Sequence, residues 1–530
     1  MTLATEARLA ALGRLRATES WDLAVIGGGA TGLGVALDAA VRGFSVVLVE
    51  SDDFAKGTSS RATKLVHGGV RYLAQGDIGL VREALHERGA LLANAPHVAQ
   101  RLGFVVPGYK FWEPAFYGVG LKAYDALAGR RGLGDTEFLS ARRTAELLPT
   151  VRLQGLAGGV KYWDGQFDDA RLALLLARTA QARGALVLNH VAATALEREG
   201  GKVQGLVVRD SETAERFRIA ARCVVNATGV WVDSVRDMDR DAGAAQRAPM
   251  VAPSQGVHLV VDRSFLPGTH ALMVPKTEDG RVLFAVPWLG KVILGTTDTP
   301  RDDIVREPRP FAEEVDFILR EAGRYLRKAP QRADVRSVWV GLRPLVKPAD
   351  DDGENTKAIS REHTVVVGAS GLVTVTGGKW TTYRAMAEDV LDRCMARGLL
   401  PRRAGEVTAR LPLVGAAPGR PLAESPGEHL YGSEAALLRA LPGATNWLWR
   451  DGSGGLSEAM VRFAARHEMA RSVEDVLARR SRLLFLDARE AARQADAVAA
   501  ILAEELGPAF DAAASAASFK QLAAQYTELP

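Results

Sequence analysis

The chain of 530 residues is poor in several features, and each shortage excludes a class of protein. Two cysteines, Cys223 and Cys394, cannot build a disulfide framework. Both sit in apolar surroundings and read as small buried hydrophobes. No group of residues has the ligand spacing of a metal cluster. A net charge of +4, from 67 Lys and Arg against 63 Asp and Glu, points to no nucleic-acid partner. No run reaches the ~18 apolar residues of a transmembrane helix. The N-terminus mixes Arg8, Arg14 and Arg16 with Leu3, Leu9, Leu12 and Leu15, so it lacks the continuous apolar core of a signal peptide. Leu9, Leu12 and Leu15 share one helical face. That face suits either a membrane-surface helix or a packed N-terminal helix. What remains is a composition 47% hydrophobic and 25% charged, that of a soluble globular chain with two or three domains.

The most informative stretch is residues 21–50, WDLAVIGGGATGLGVALDAAVRGFSVVLVE. It predicts a strand, a tight turn, a helix and a second strand. Gly27, Gly29 and Gly32 form a G-x-G-x-x-G at the turn. Gly27 permits the turn, Gly29 admits a pyrophosphate to the backbone, and Gly32 lets helix and strand pack closely. Thr31 stands in the same turn. The helix N-terminus offers unpaired N–H groups and partial positive charge to an anion. Glu50 closes the second strand near the ~20 residues after the glycines at which an acid meets a ribose diol. An acid there also disfavours a 2′-phosphate. FAD and NAD remain, NADP does not.

Residues 51–73 follow as SDDFAKGTSSRATKLVHGGVRYL, too rich in functional side chains for a plain linker. Thr58, Ser59 and Ser60 bring hydroxyls, Lys64, His67 and Arg71 bring nitrogen chemistry, and Gly68–Gly69 allows a close turn. The segment leaves the carboxyl end of a strand and is expected to pass the ligand crevice. A helix is expected over 79–95. Residues 109–124, with Phe111, Trp112, Phe116 and Tyr117, form an aromatic stretch whose default reading is core. About 200 residues past the first fingerprint, CVVNATGVWVD ends an apolar strand in Ala227-Thr228-Gly229. A single-Rossmann NAD dehydrogenase has no general need of this unit, whereas a two-domain flavoprotein brings a late strand beside the dinucleotide. Residues 253–262, 283–288 and 292–297 read as an antiparallel sheet on the substrate side. Residues 372–376 then lead into Gly377-Gly378-Lys379 and a helix with Thr381 and Thr382 as caps. A helix N-terminus there suits the flavin edge that becomes negative on reduction.

These residues resemble the FAD-dependent glycerol-3-phosphate dehydrogenases of aerobic respiration. The resemblance spans roughly residues 21–395 and rests on GGGATG, GTSSRATKLVHGGVRYL, VVNATGVWVD, PSQGVHLVVD, VPWLGKVILGTTDT, VGLRPLV, SREHT and GGKWTTYR. It implies oxidation of sn-glycerol 3-phosphate to dihydroxyacetone phosphate, with electrons passing to FAD and then to a membrane quinone. It implies peripheral attachment to the cytoplasmic face of the cell membrane. By the motifs, Arg71, Tyr72, Arg343, Arg361, Lys379 and Thr382 surround the substrate, where a phosphate monoester needs fixed cations. Arg343 stabilises the oxygen on the reacting carbon. His258 is the preferred base, and His67 positions flavin or substrate. The cofactor set is Gly27, Gly29, Thr31, Gly32, Glu50, Thr58, Ser59, Ser60, Lys64, His67, Ala227, Thr228, Gly229, Gly378 and Lys379. Where many members have Gly-Ser-His, this chain has Gly256-Val257-His258. It also lacks an insertion before GGKWTTYR that oxygen-reducing relatives often carry, which favours a dehydrogenase over an oxidase. Amine or amino-acid oxidases of the same flavin fold are the other alternative.

The expected fold is α/β. A Rossmann-type FAD domain (about 21–80, 150–235 and 355–400) interleaves with a mostly antiparallel β substrate domain (about 81–149 and 236–354). A basic N-terminal helix (1–20), a Pro/Gly/Arg-rich linker (401–427) and a helical C-terminal domain (428–530) complete the chain. A homodimer stays open.

Overall fold

The computed structural model describes residues 2–69, 77–129, 132–240, 247–347 and 363–530. The apolar run Trp21–Ile26 is fully flanked, which is why it is apolar on both faces. It pairs in parallel with Val46–Val49 on one side and with Arg216–Asn226 on the other. The register aligns Ile26 with both Val49 and Asn226. Val373–Gly377 adds in parallel beside Arg216–Asn226, and Leu186–Leu188 beside Val46–Val49. Five strand ends from distant parts of the chain therefore meet along one carboxyl edge. The helices Ala30–Val41, Asp169–Ala182 and Tyr383–Ala396 pack together against this sheet and form its apolar core.

The second sheet is 10-stranded among the described residues and mostly antiparallel. One margin of it is the long pair Val251–Asp262 and Ser337–Val346, in which Ser254 opposes Arg343 and His258 opposes Trp339. Ala99–Gly108 and Gly158–Phe167 extend it. Strand pairing thus puts Gly158–Phe167 in this sheet, although residues from 150 onward were expected beside the nucleotide. The chain returns to the first layer at Asp168, which caps the helix Asp169–Ala182 through a hydrogen bond from Arg171 N.

The aromatic stretch is not core. Residues Glu113–Ala128 form a helix that buries Leu121, Tyr124 and Ala128 on one side. Its other side exposes Phe116 (67%), and Phe111 (89%) precedes it. The N-terminal helix Leu3–Ala17 buries Leu12 and Leu15 and leaves Leu3 and Leu9 exposed. Cys223 and Cys394 are buried with their sulfurs 3.6 Å apart. Residues 401–427 form neither helix nor strand, and from residue 428 the chain is largely helical, with two departures from expectation. A short hairpin joins Trp447–Asp451 to Gly454–Ser457, and Asp475–Arg480 winds as a π-helix.

This C-terminal region is welded to the rest by buried charge. Arg171 meets Glu468 at 2.7 Å, and Arg480 and Arg479 both reach Asp53. Removing one partner of such a pair typically costs ~3–5 kcal/mol, because the other charge is left buried. His97 plugs the same seam. A β-carbon on Gly432 would lie 3.0 Å from its ring and one on Gly419 2.8 Å from its Cα, so glycine makes the slot. The ring is 0% exposed, and neither nitrogen has a hydrogen-bond partner among the described residues. Burial and the nearby Arg171 guanidinium pull its pKa down to about 3. Below the ordinary value of 6.5 the unfolded chain therefore takes up a proton that the folded chain refuses. Stability should fall as pH drops from 6.5, by on the order of 2 kcal/mol at pH 5 from this residue. Thermal melts of His97→Phe against the parent, between pH 8 and 5, should show a flatter decline in the variant. Parallel curves would contradict this role.

Candidate active site

A cavity of about 800 Å³ runs along the carboxyl edge of the first sheet and ends against the second. Its first end is the glycine fingerprint. Gly27 has φ +110°, and a β-carbon there would lie 2.6 Å from the Ala227 carbonyl oxygen. A β-carbon on Gly32 would lie 1.9 Å from the Gly27 carbonyl oxygen. Only glycine at both positions lets the helix start this close to two strand ends. Gly29 precedes the helix, and the Ala30 N–H donates to Ser59 Oγ at 3.0 Å. Glu50 is fixed on the opposite lip. Its carboxylate accepts from Gly28 N at 2.7 Å and from Asp52 N at 2.9 Å. Burial raises its pKa, and the Gly28 N–H and the Ser51 hydroxyl oppose the rise.

Gly27, Gly29, Thr31, Glu50, Thr58, Ser59, His67, Ala227, Thr228, Gly229, Gly378 and Lys379 all line the cavity, together with His258 and Arg343. Thr58 Oγ1 donates to the Leu342 carbonyl, which ties the first fingerprint's loop to the second sheet. Gly377 and Gly378 take φ +81° and +73°, a turn that only glycine adopts freely, and Lys379 follows at the cavity wall. Thr382 makes no side-chain cap; its hydroxyl turns back to the Lys379 carbonyl at 3.4 Å. Gly32 acts from behind, through packing.

Lys64 and Ser60 do not face the cavity. Lys64 is 0% exposed and donates to Asp169 and to the Ser60 carbonyl, both at 2.7 Å. Trp288, Trp339 and Phe485 enclose its ammonium. Arg482 donates to the same Ser60 carbonyl and to Asp169. Burial pulls Lys64 down to about 7, and Asp169 resists this. The physical reason for the misplacement is tertiary: a C-terminal arginine and three aromatics close over a lysine that looks like part of a ligand loop. Arg71, Tyr72 and Arg361 lie outside the described residues.

The far end of the cavity is built on the paired strands. Gly256, paired with Gly341, opens a slot for Arg343; a β-carbon on Gly256 would lie 2.3 Å from its Nη2, and one on Gly341 would lie 3.0 Å from the Arg61 carbonyl oxygen. The guanidinium donates to Asp298 at 3.0 Å, to the Gln255 and Thr297 carbonyls and to Thr296 Oγ1. Its orientation is therefore fixed by the protein. His258 is 2% exposed, stacks on Trp339 at 5.3 Å, and shares Nε2 with Thr63 Oγ1 at 2.9 Å. Burial, then Lys64 and Arg343, hold its pKa well below the ordinary histidine value. Both causes favour the neutral ring. Phe104, Tyr162, Met273 and Phe284 supply an apolar wall.

Sequence reasoning missed Asp298, Thr296 and Thr63. The first two lie in GTTDT, a motif recognised without a role, and nothing local in the sequence marks Thr63 as a partner of His258. Asp53, His190 and Asp475 bring possible metal-ligating atoms within 4.8 Å of one another. Arg479 and Arg480 already neutralise that group.

Known proteins with this architecture narrow the reading. Residues 22–384 match the model for FAD dependent oxidoreductases, and residues 406–512 match the C-terminal domain of alpha-glycerophosphate oxidase. The chain is 41% identical to a mitochondrial glycerol-3-phosphate dehydrogenase of Arabidopsis thaliana, over 92% of this chain and 83% of that protein. It is 39% identical to the mitochondrial glycerol-3-phosphate dehydrogenase of Homo sapiens, over 94% and 72%. The solved structure of a glycerol-3-phosphate dehydrogenase from Bacillus halodurans, complexed with FAD, is 30% identical and superposes with a TM-score of 0.75 over 99% of this chain and 98% of that one. The long match to the flavin oxidoreductase model, the C-terminal match and the near-complete structural overlap agree: the chain belongs to the FAD-dependent glycerol-3-phosphate dehydrogenase family.

Proposed function

We propose that this protein oxidises sn-glycerol 3-phosphate to dihydroxyacetone phosphate and passes the electrons to a membrane quinone. The observation that carries this reading is the cavity itself, a dinucleotide cradle continuous with a pocket that holds Arg343, Lys379, His67 and His258. The cradle fits FAD: β-carbons on Gly27, Gly32 and Gly378 would fill it or force its walls apart. Gly27, Gly29 and Thr31 would hold the pyrophosphate, Glu50 the ribose, and Ala227, Thr228, Gly229 and Gly378 the flavin side. When bound, FAD supplies the acceptor for the hydride leaving the substrate's C2.

Lys379 and Arg343 supply positive charge for the substrate's phosphate and C2 oxygen, with Arg71, Tyr72, Arg361 and Thr382 proposed beside them by motif. The proton acceptor is better assigned to His67 than to His258. A base must become cationic, and at His258 burial first, then the charges of Lys64 and Arg343, resist that charge. His258, neutral and anchored by Thr63, suits a hydrogen-bonding role toward the C2 oxygen. His67 lies on the cavity wall at the start of a glycine turn and is the residue we assign as base.

No helix among the described residues is long and apolar enough to cross a membrane. The exposed edge around Glu113–Ala128 is the proposed contact with lipid. Phe111, Trp112 and Phe116 sit beside Lys110, whose ammonium lies over the Trp112 ring. Aromatics with flanking cations favour the lipid–water interface.

Steady-state turnover with an artificial acceptor tests the reaction: glycerol 3-phosphate should be oxidised and sarcosine should not, and the reverse preference would reject the reading. Arg343→Lys should lower kcat by about 10²-fold while FAD stays bound, since an ammonium cannot keep a fixed planar donor set. Unaltered turnover would reject the role. His67→Gln should remove the acid limb of the kcat/KM profile and lower kcat by ~10²–10⁴-fold. His258→Gln should keep the limb, and an exchange of these results would restore His258 as base. Trp112→Ser with Phe116→Ser should weaken sedimentation with anionic vesicles several-fold at unchanged turnover on soluble acceptor. Equal sedimentation would exclude this face as the lipid contact.

A further inference from the structure

The turn after His67 is held by a buried polar cluster. The Gly68 N–H donates to Tyr124 Oη at 2.8 Å. The tyrosine hydroxyl donates to Asp164 Oδ2 at 3.1 Å, and the other oxygen of Asp164 accepts from Arg88 at 2.8 Å. Arg88 also donates to Tyr124 Oη at 3.3 Å. Tyr124, Arg88 and Asp164 are each at most 2% exposed. They come from three separate elements, Glu113–Ala128, Ile78–Asn94 and Gly158–Phe167, which converge on one backbone N–H.

The cluster is directional. A hydroxyl has one proton to give, and here it goes to Asp164, so its lone pairs face Gly68 and Arg88. Burial and the Asp164 charge raise the tyrosine pKa, which keeps the hydroxyl protonated. The fit around Gly68 is close: a β-carbon there would lie 2.3 Å from Tyr124 Oη and 2.6 Å from Leu85 Cδ2. His67, Gly69 and, from the cluster, Asp164 line the cavity, whereas Gly68 faces Tyr124 and Leu85. Fixing the Gly68 N–H therefore fixes which way its two neighbours face.

We propose that Tyr124 is a positioning residue for the reaction: its hydroxyl, set by Asp164 and Arg88, holds the His67 turn at the cavity wall. The proposal rests on the reading of His67 as the proton acceptor in glycerol 3-phosphate oxidation. The same helix carries the exposed aromatic edge, so one element joins the protein's outer face to the turn beside the reacting atoms.

Tyr124→Phe removes the hydroxyl and keeps the ring. In the flavin-loaded enzyme, kcat/KM for glycerol 3-phosphate should fall about tenfold or more, the effect expected when a buried N–H loses its acceptor. The acid limb of the pH profile should move, while FAD content stays at the parent level. A merely structural role would lower melting temperature or FAD content and leave the limb in place. An unmoved limb with parental kcat/KM per bound flavin overturns the proposal. If Tyr124→Phe does not fold, Asp164→Asn is read instead: a displaced limb supports the proposal and an unmoved one overturns it. Flavin absorbance titrated with dihydroxyacetone phosphate gives a second readout, in which a changed perturbation spectrum is expected and an identical spectrum and affinity count against the proposal. The unmodified protein separates the two levels of inference: its inactivity toward glycerol 3-phosphate would overturn the proposed reaction, whereas its activity beside unaffected variants overturns only the role of Tyr124.

Discussion

The structure depends on one close approach of backbone to backbone. The first turn of Ala30–Val41 lies against the Gly27 peptide, and that peptide lies against the end of Arg216–Asn226. Neither contact leaves room for a β-carbon. Because Ile26 and Asn226 are in register, the approach brings Gly27 and Ala227 together although about 200 residues separate them. The helix N-terminus, the Glu50 carboxylate and the Gly377–Gly378 turn then open on the same crevice. A dinucleotide site follows from strand register plus two positions where only glycine fits.

The second constraint is electrostatic. Asp53, Asp168 and Asp169 sit at the base of the ligand loops with almost no exposure, and their countercharges come from Lys64, Arg479, Arg480 and Arg482. Three of these four cations belong to the C-terminal region. Buried pairs of this kind add little net stability over apolar packing, yet breaking one is costly. The C-terminal helices thus fix the loop 57–64 from behind, including Thr63, which in turn holds His258. They brace the loop that lines the cavity.

Local pattern made much of this legible. The fingerprint, Ala227-Thr228-Gly229 and Gly377-Gly378-Lys379 each announce a strand end followed by a turn, and each stands on the cavity wall. The flavin fold with its helical C-terminal region follows from their order. What failed to show was decided by tertiary partners. Lys64 reads like a ligand residue until Arg482 and Trp339 close over it. The aromatic run reads as core because sequence gives hydrophobicity without saying which side of Glu113–Ala128 has a neighbour. Gly158–Phe167 joins the second sheet because Ala99–Gly108 lies beside it, a pairing no local signal encodes. Asp298 and Tyr124 act on groups far along the chain, so their roles emerge only once the strands and helices meet.

The central claim is that one cavity joins a flavin cradle to a cationic substrate pocket, so that substrate electrons reach FAD directly. Anaerobic titration of the FAD-loaded protein with sn-glycerol 3-phosphate tests this most directly. The account predicts loss of the oxidised flavin absorbance near one equivalent of substrate, reversed on adding a quinone. Persistence of the oxidised spectrum through a large excess of glycerol 3-phosphate would contradict it.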